Sequence, residues 1–149
     1  MPTHFQASKP ITRALNAYIN LVRASNSIQA REARQLEQHH LTVGQFGVLE
    51  AILHLGPMNQ SALAEKLLCG GANITMLVDH LEKRGLVRRE RQARDRRSIL
   101  VHLTPGGRAC IKKVFARHAA FIASQMAALT LSEQAQLRIL CRKVGTGNP

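Results

Sequence analysis

The sequence predicts a mainly α-helical fold that carries one small β-hairpin, an α+β arrangement in which helices supply most of the core. Three observations point there. Apolar residues recur at helical spacing near both ends and through the middle of the chain. The stretch from Asn59 to Pro105 reads NQSALAEKLLCGGANITMLVDHLEKRGLVRRERQARDRRSILVHLTP, two short helix patterns parted by glycines and followed by two strand-like runs. The 149 residues are 45% hydrophobic but only 3% aromatic, with no Trp, so one domain's worth of chain must close around an aliphatic core.

The elements follow in order. Ile11, Leu15, Tyr18 and Val22 recur at helical spacing, and helix-compatible residues continue to Gln38, which predicts one long first helix. Thr42 and Gln45 form a T-x-x-Q capping box, each side chain answering a free backbone N–H of the next helix. That helix carries Val43, Phe46, Val48, Leu49, Ile52 and Leu53, is apolar on most sides, and should form the buried centre. Gly56-Pro57 ends it, and Asn59 is placed to cap a short helix bearing Leu63, Ala64, Leu67 and Leu68. Gly70-Gly71 breaks the chain before a helix over about 72–84, whose buried face is Ile74, Leu77, Val78 and Leu81. Gly85 is its C′ residue. Strands are expected over 86–91 and 98–103, the second alternating Ile99, Val101 and Leu103 with Ser98, Leu100 and His102. Thr104-Pro105 opens a further helix with proline at its first position, and Val114, Phe121, Ile122, Met126 and Leu129 give it an apolar stripe. Thr130-x-x-Glu133 is a second capping box, opening a last helix with Leu137, Leu140 and Val144.

Charge narrows the function. The formal charge is +12, and eight of the 21 Lys and Arg residues fall between Lys83 and Arg97, against only Glu90 and Asp95. A polyanionic partner is implied, and nucleic acid is the first choice. A helix-turn-helix followed by a cationic hairpin suits double-stranded DNA, one element per groove. The expected architecture is therefore a winged helix-turn-helix DNA-binding lobe over 42–103, joined within one compact domain to an α-helical dimerisation region formed by 1–38 and 104–149. The terminal helices lack partners unless they pack on one another or on a second chain, so a symmetric homodimer is expected.

Other classes fare worse. No run of about 18 apolar residues exists to span a membrane, and the start, MPTHFQASKP, lacks a secretion signal's design. A cytoplasmic location without membrane partners is expected. Cys69, Cys110 and Cys141 are widely spaced, odd in number and read as free thiols. There is no phosphate loop, H-E-x-x-H or G-x-S-x-G motif, so no enzyme is expected. Nor does the sequence hold a C-x-x-C or H-x-x-x-H pair, so no metal or other cofactor is expected. Two alternatives stay open: a non-specific architectural DNA binder, since charge alone gives binding without sequence choice, and redox control through Cys69 or Cys110.

On these residues the chain resembles the MarR (multiple antibiotic resistance regulator) family of winged-helix transcription regulators. The specific portion is VDHLEKRGLVRRERQARDRRSILVHLTPGG, with a recognition helix, a D-x-R wing and an L-T-x-x-G helix start. The resemblance implies a dimer binding a palindromic operator, usually as a repressor, often released by a small anionic or phenolic ligand. It also identifies Asp95 and Arg97 as the D-x-R pair, with Asp95 holding an arginine in place. One departure is Gly70, where family members often carry a Ser that caps the recognition helix.

The residues suggest contacts independently. Gly71 and Ala72 are small and let the helix start approach phosphates. Asn73 can pair with adenine, and Thr75 can bond a base edge or touch a thymine methyl. Met76 and His80 share the exposed face with Asp79. Arg91 continues the basic surface, and Arg94, Arg96 and Arg97 have the length to enter a minor groove. Arg88, Arg89 and Arg91 cannot all face DNA, because side chains alternate along a strand. For an effector, the resemblance implies a pocket near the first, second and fifth helices, with Arg13, Arg23, His39, His40, His54 and His118 as candidate ligand-binding residues.

Overall fold

The computed structural model describes residues 5, 7–91 and 99–147. Its elements run α1 (Lys9–Glu37), α2 (Val43–Leu55), β1 (Met58–Asn59), α3 (Gln60–Lys66), α4 (Gly71–Lys83), β2 (Val87–Arg91), β3 (Ile99–Leu103), α5 (Pro105–Met126) and α6 (Leu131–Thr146). The mainly α fold with a small β-hairpin is therefore the one observed. The addition is β1, a two-residue strand that pairs antiparallel with β3 through Met58↔Val101 and Asn59↔Leu100. This gives a three-stranded sheet in the order β1-β3-β2. Two residues after a proline carry no period, so nothing local announced it.

Local signals account for most helix starts. Thr42 Oγ1 accepts the Gln45 N–H at 3.2 Å and Gln45 Oε1 accepts the Thr42 N–H at 3.1 Å. The same reciprocal pair joins Thr130 and Glu133 at 3.3 and 2.8 Å. Asn59 Oδ1 caps α3 by accepting the Ala62 N–H at 2.8 Å. Helix α4 starts on Gly70 without any side-chain cap.

Helix ends share one device. Beyond α1, α3 and α4 the chain turns through a left-handed residue: His40 (φ 55°), Leu68 (φ 51°) and Gly85 (φ 67°). In each case that residue's N–H and the next one's return to carbonyls of the last turn, as with Gly85 to Glu82 and Leu86 to Leu81. Of these three helices, α4 alone has glycine at this position. The break predicted at Gly70-Gly71 is real, but Leu68 makes the left-handed turn, and Gly70 is extended at φ −68°, ψ 152°.

The core is one cluster from Leu36 to Val114. Helix α2 runs through it, burying Phe46, Val48, Leu49, Ala51 and Ile52, and α4 adds Ile74, Leu77, Val78 and Leu81 as its pattern predicts. Val101 is fully enclosed at the middle of β3, while Ile99 at its outer end stays exposed. Helix α5 adds Ile111 and Val114. The terminal helices differ: α1 contributes only Leu36 and α6 nothing, leaving Ile11, Tyr18, Leu140 and Val144 exposed in the single chain. No single described helix is long and apolar enough to cross a membrane; α5 and α6 pass that test only as a pair bent by 101°.

Candidate nucleic-acid interface

With one face of α4 sealed in the core, the opposite face presents Ala72, Thr75, Met76 and Lys83, with Asn73 and His80 along one flank; all are exposed. Gly70 and Gly71 precede this face. A Cβ added at either would meet nothing within 4 Å, and neither has a positive φ, so no demand inside the chain calls for glycine there.

The other flank of α4 is tied to the wing by Arg89. Its guanidinium reaches Asp79 Oδ1 and Glu82 Oε2, both at 2.7 Å, and its Nε donates to Gln60 Oε1 at 3.0 Å. Its backbone N–H donates to Glu82 Oε1 at 2.8 Å. Burial opposes charging of this guanidinium, but hydrogen bonds and charge attraction from Asp79 and Glu82 outweigh it and raise the Arg89 pKa above its ordinary value. Gln60 in turn donates from Nε2 to Thr75 Oγ1 at 2.9 Å, and Thr75 donates to the Gly71 carbonyl at 3.1 Å. One polar chain thus links the start of α3, the exposed face of α4 and the first wing strand.

The described cations of the basic segment divide by these contacts. Arg89 is internal to the network, Arg88 pairs with Glu90, and Arg84 donates to the His40 carbonyl at 2.6 Å. The Lys83 and Arg91 side chains are exposed and make no ion pair or hydrogen bond among the described residues. Arg94, Asp95, Arg96 and Arg97, the predicted wing contacts, lie outside the described residues.

The L-T-x-x-G segment braces this surface from behind. Thr104 Oγ1 donates to the Gly85 carbonyl at 2.6 Å and accepts the Gly107 N–H at 2.9 Å. A Cβ on Gly107 would overlap the Leu86 carbonyl. The start of α5 is thereby pressed against the end of α4, and only glycine allows the approach.

A family model described as the MarR family matches residues 41–99. YkoM of Bacillus subtilis, an HTH-type transcriptional regulator, is 33% identical over 135 residues, spanning 91% of this chain and 88% of that protein. The chain belongs to the MarR family. Solved structures agree in fold. AbsC, a MarR family transcriptional regulator from Streptomyces coelicolor, matches with a TM-score of 0.84 at 19% identity over 97% of both chains. BpsR of Bordetella bronchiseptica, whose DNA binding is regulated by 6-hydroxynicotinic acid, matches with a TM-score of 0.79 at 25% identity, covering 97% of this chain and 98% of that one. The protein is a DNA-binding transcriptional regulator of winged-helix architecture.

Within this MarR-family fold the six predicted effector residues do not converge. His54 stacks edge-on against Phe115 with ring centres 4.7 Å apart, and His118 packs on Phe46 at 4.4 Å, so both lie between α2 and α5. His118 Nε2 stands 3.7 Å from Glu32 Oε1, and its Nδ1 is buried without a hydrogen-bond partner among the described residues. Arg13 lines a separate open groove of about 440 Å³ on α1 with Lys9, Thr12 and Asn16. Arg23 lies midway along α1, and His39 and His40 form the turn after it. A cleft of about 410 Å³ between α2, α3 and α5 is lined by Glu50, His54, Lys66, Leu67 and Phe115, among others. Lys66, its cation, was not singled out from the sequence; nor were Gln60 and Lys83. Lys83 was readable, seven residues after Met76 on the same helix face, whereas the Gln60 bonds span residues far apart in sequence. Cys69 and Cys110 are free thiols packed partly against the core. No group of three or more His, Cys, Asp or Glu side chains gathers as for a metal ion among the described residues.

Proposed function

We propose that this protein is a homodimeric repressor that places α4 in the major groove of a palindromic operator and the wing beside the adjacent minor groove. The observation that carries the reading is the exposed face of α4, tied to its surroundings by Arg89 and Thr104 and bordered by Lys83 and Arg91, whose side chains have no partner among the described residues. Gly71 and Ala72 admit the phosphate backbone at the helix start, a place where the helix dipole favours anions. The glycines at 70 and 71 answer no internal need, which fits a close approach from outside the chain. Asn73, Thr75, Met76 and His80 face the bases, while Arg91, Arg94, Arg96 and Arg97 follow the backbone and minor groove, Asp95 orienting one of these arginines.

The segments 1–38 and 104–149 act as the dimerisation region and 42–103 as the DNA-binding lobe. Exposed Ile11, Tyr18, Leu140 and Val144 supply apolar surface for a second copy. The effector is a small carboxylate or phenolate in the cleft between α2, α3 and α5, whose size falls within the ordinary range for ligand pockets. Lys66 and His54 offer it positive charge or hydrogen bonds, and Phe115 offers a ring face. The regulation of BpsR by 6-hydroxynicotinic acid, an aromatic acid, supports that ligand class.

Selection from a random-duplex pool at about 150 mM salt, which suppresses non-specific retention, tests this reading. Enrichment of a palindrome with half-sites about one helical turn apart is expected. Salt-sensitive retention without enrichment would replace the regulator with an architectural binder.

A further inference from the structure

Thr75 carries two groups that a DNA base can meet, a hydroxyl and a methyl. The hydroxyl's bonds have a direction imposed from one end. Arg89 can only donate, so the Gln60 amide must turn its oxygen to Arg89 Nε, at 3.0 Å. Its Nε2 then faces Thr75 Oγ1 at 2.9 Å, and the threonine oxygen must accept. The single hydroxyl proton goes to the Gly71 carbonyl at 3.1 Å, one turn back along α4. Asp79 and Glu82 hold Arg89 in turn, so the far end of the chain is fixed by two carboxylates. To donate to a base, Thr75 would have to break its bond to Gly71, which leaves the hydroxyl only one lone pair with which to meet DNA.

We propose that Thr75 reads DNA through its Cγ2 methyl rather than its hydroxyl and so selects a thymine 5-methyl in the major groove, with Gln60 and Arg89 as positioning residues. This rests on the reading of α4 as the recognition helix. The hydroxyl fixes the χ1 rotamer and thereby aims the methyl. A methyl against a methyl, out of water, is a small but directional source of preference for thymine over the other bases.

The test uses the full chain and the duplex recovered by selection. Each thymine is replaced singly by deoxyuridine, which lacks only the 5-methyl and leaves every hydrogen-bonding group in place. One thymine per half-site should, on replacement, weaken binding about fourfold, the worth of one buried methyl. Thr75→Ser keeps the hydroxyl and loses the methyl; in a homodimer it should bind the unmodified duplex about sixteenfold more weakly, fourfold for each half-site, and be indifferent to deoxyuridine at that position. Thr75→Val keeps a methyl but loses the hydroxyl bonds that aim it, and should keep only part of the sensitivity. The proposal is overturned if no deoxyuridine position matters, or if Thr75→Ser remains as sensitive as the unaltered protein. The deoxyuridine series needs no altered protein, so a variant that folds poorly cannot mask the answer. Failure to enrich any duplex would remove the regulator reading and this inference with it, whereas an enriched duplex indifferent to deoxyuridine removes this inference alone.

Discussion

Helices α2 and α6 open with the same signal and end in opposite surroundings. Each starts on a threonine whose hydroxyl accepts the N–H three residues on, and each has that third residue's side chain reach back. Helix α2 then buries most of its length, from Gln45 to Ile52, while α6 buries no residue in the single chain. A capping box therefore fixes where a helix begins and says nothing of what it packs against. Apolar pattern is the second signal: α2 is apolar on most sides, whereas α6 carries one stripe of Leu137, Leu140 and Val144. A stripe calls for one neighbour on one side, and within this chain that side faces outward.

The contrast can be broken most strongly from the α2 side. Leu49 is fully enclosed, and Leu49→Ala should cost about 3 kcal/mol of unfolding free energy in urea; a loss under 1 kcal/mol would mean the centre of the core is elsewhere. On α6, Leu140→Asp should weaken self-association roughly tenfold in sedimentation equilibrium. Unchanged association would take the α6 stripe out of the dimer contact. The two caps should then separate by consequence rather than geometry. Thr42→Ala should lower global stability by about 1 kcal/mol, because α2 cannot fray without opening the core. Thr130→Ala should show mainly as faster amide exchange over the first turn of α6, and equal global losses would contradict the difference in burial.

The smallest effect is one of pH. Gln45 does not titrate, but Glu133 does, and hydrogen bonds from the Thr130 backbone and hydroxyl lower its pKa below the ordinary 4.5. A lowered folded pKa means that the contribution is fully present above 4.5 and is lost as pH falls through the folded value. Amide protection, taken relative to the intrinsic exchange rate at each pH, should therefore fall at the start of α6 in mild acid and stay unchanged at the start of α2. Parallel changes at both would show that Glu133 is not the titrating group.

What could be read from the sequence was local. Thr42, Asn59 and Thr130 each cap through a residue three positions on, and the buried face of α4 follows from spacing alone. The L-T-x-x-G pattern was visible, but its reason was not, since it lies in contacts of Thr104 and Gly107 with Gly85 and Leu86 across the wing. Ile111, fully buried just before the Lys112-Lys113 pair, lies three positions before Val114 on the same helix face, and the adjacent charges masked that spacing. Leu68 was read only as an apolar helix residue, because propensity assigns left-handed turns to glycine and two glycines lay close by. The site was half legible for the same reason. The exposed face of α4 follows from its period, but the pairing of Arg89 with Asp79, Glu82 and Gln60 depends on how the wing folds back over the helix.

The Arg84 guanidinium at the end of α4, held on the His40 carbonyl at 2.6 Å, has a mechanical consequence. It ties the end of α4 to the corner where the long arm α1 turns into α2, beside the core packing of Leu36 and Leu41, so tilting that arm strains this bond together with those contacts. If two copies pair through their arms as proposed, the spacing of the two α4 helices depends on this corner as well as on the DNA-facing side chains.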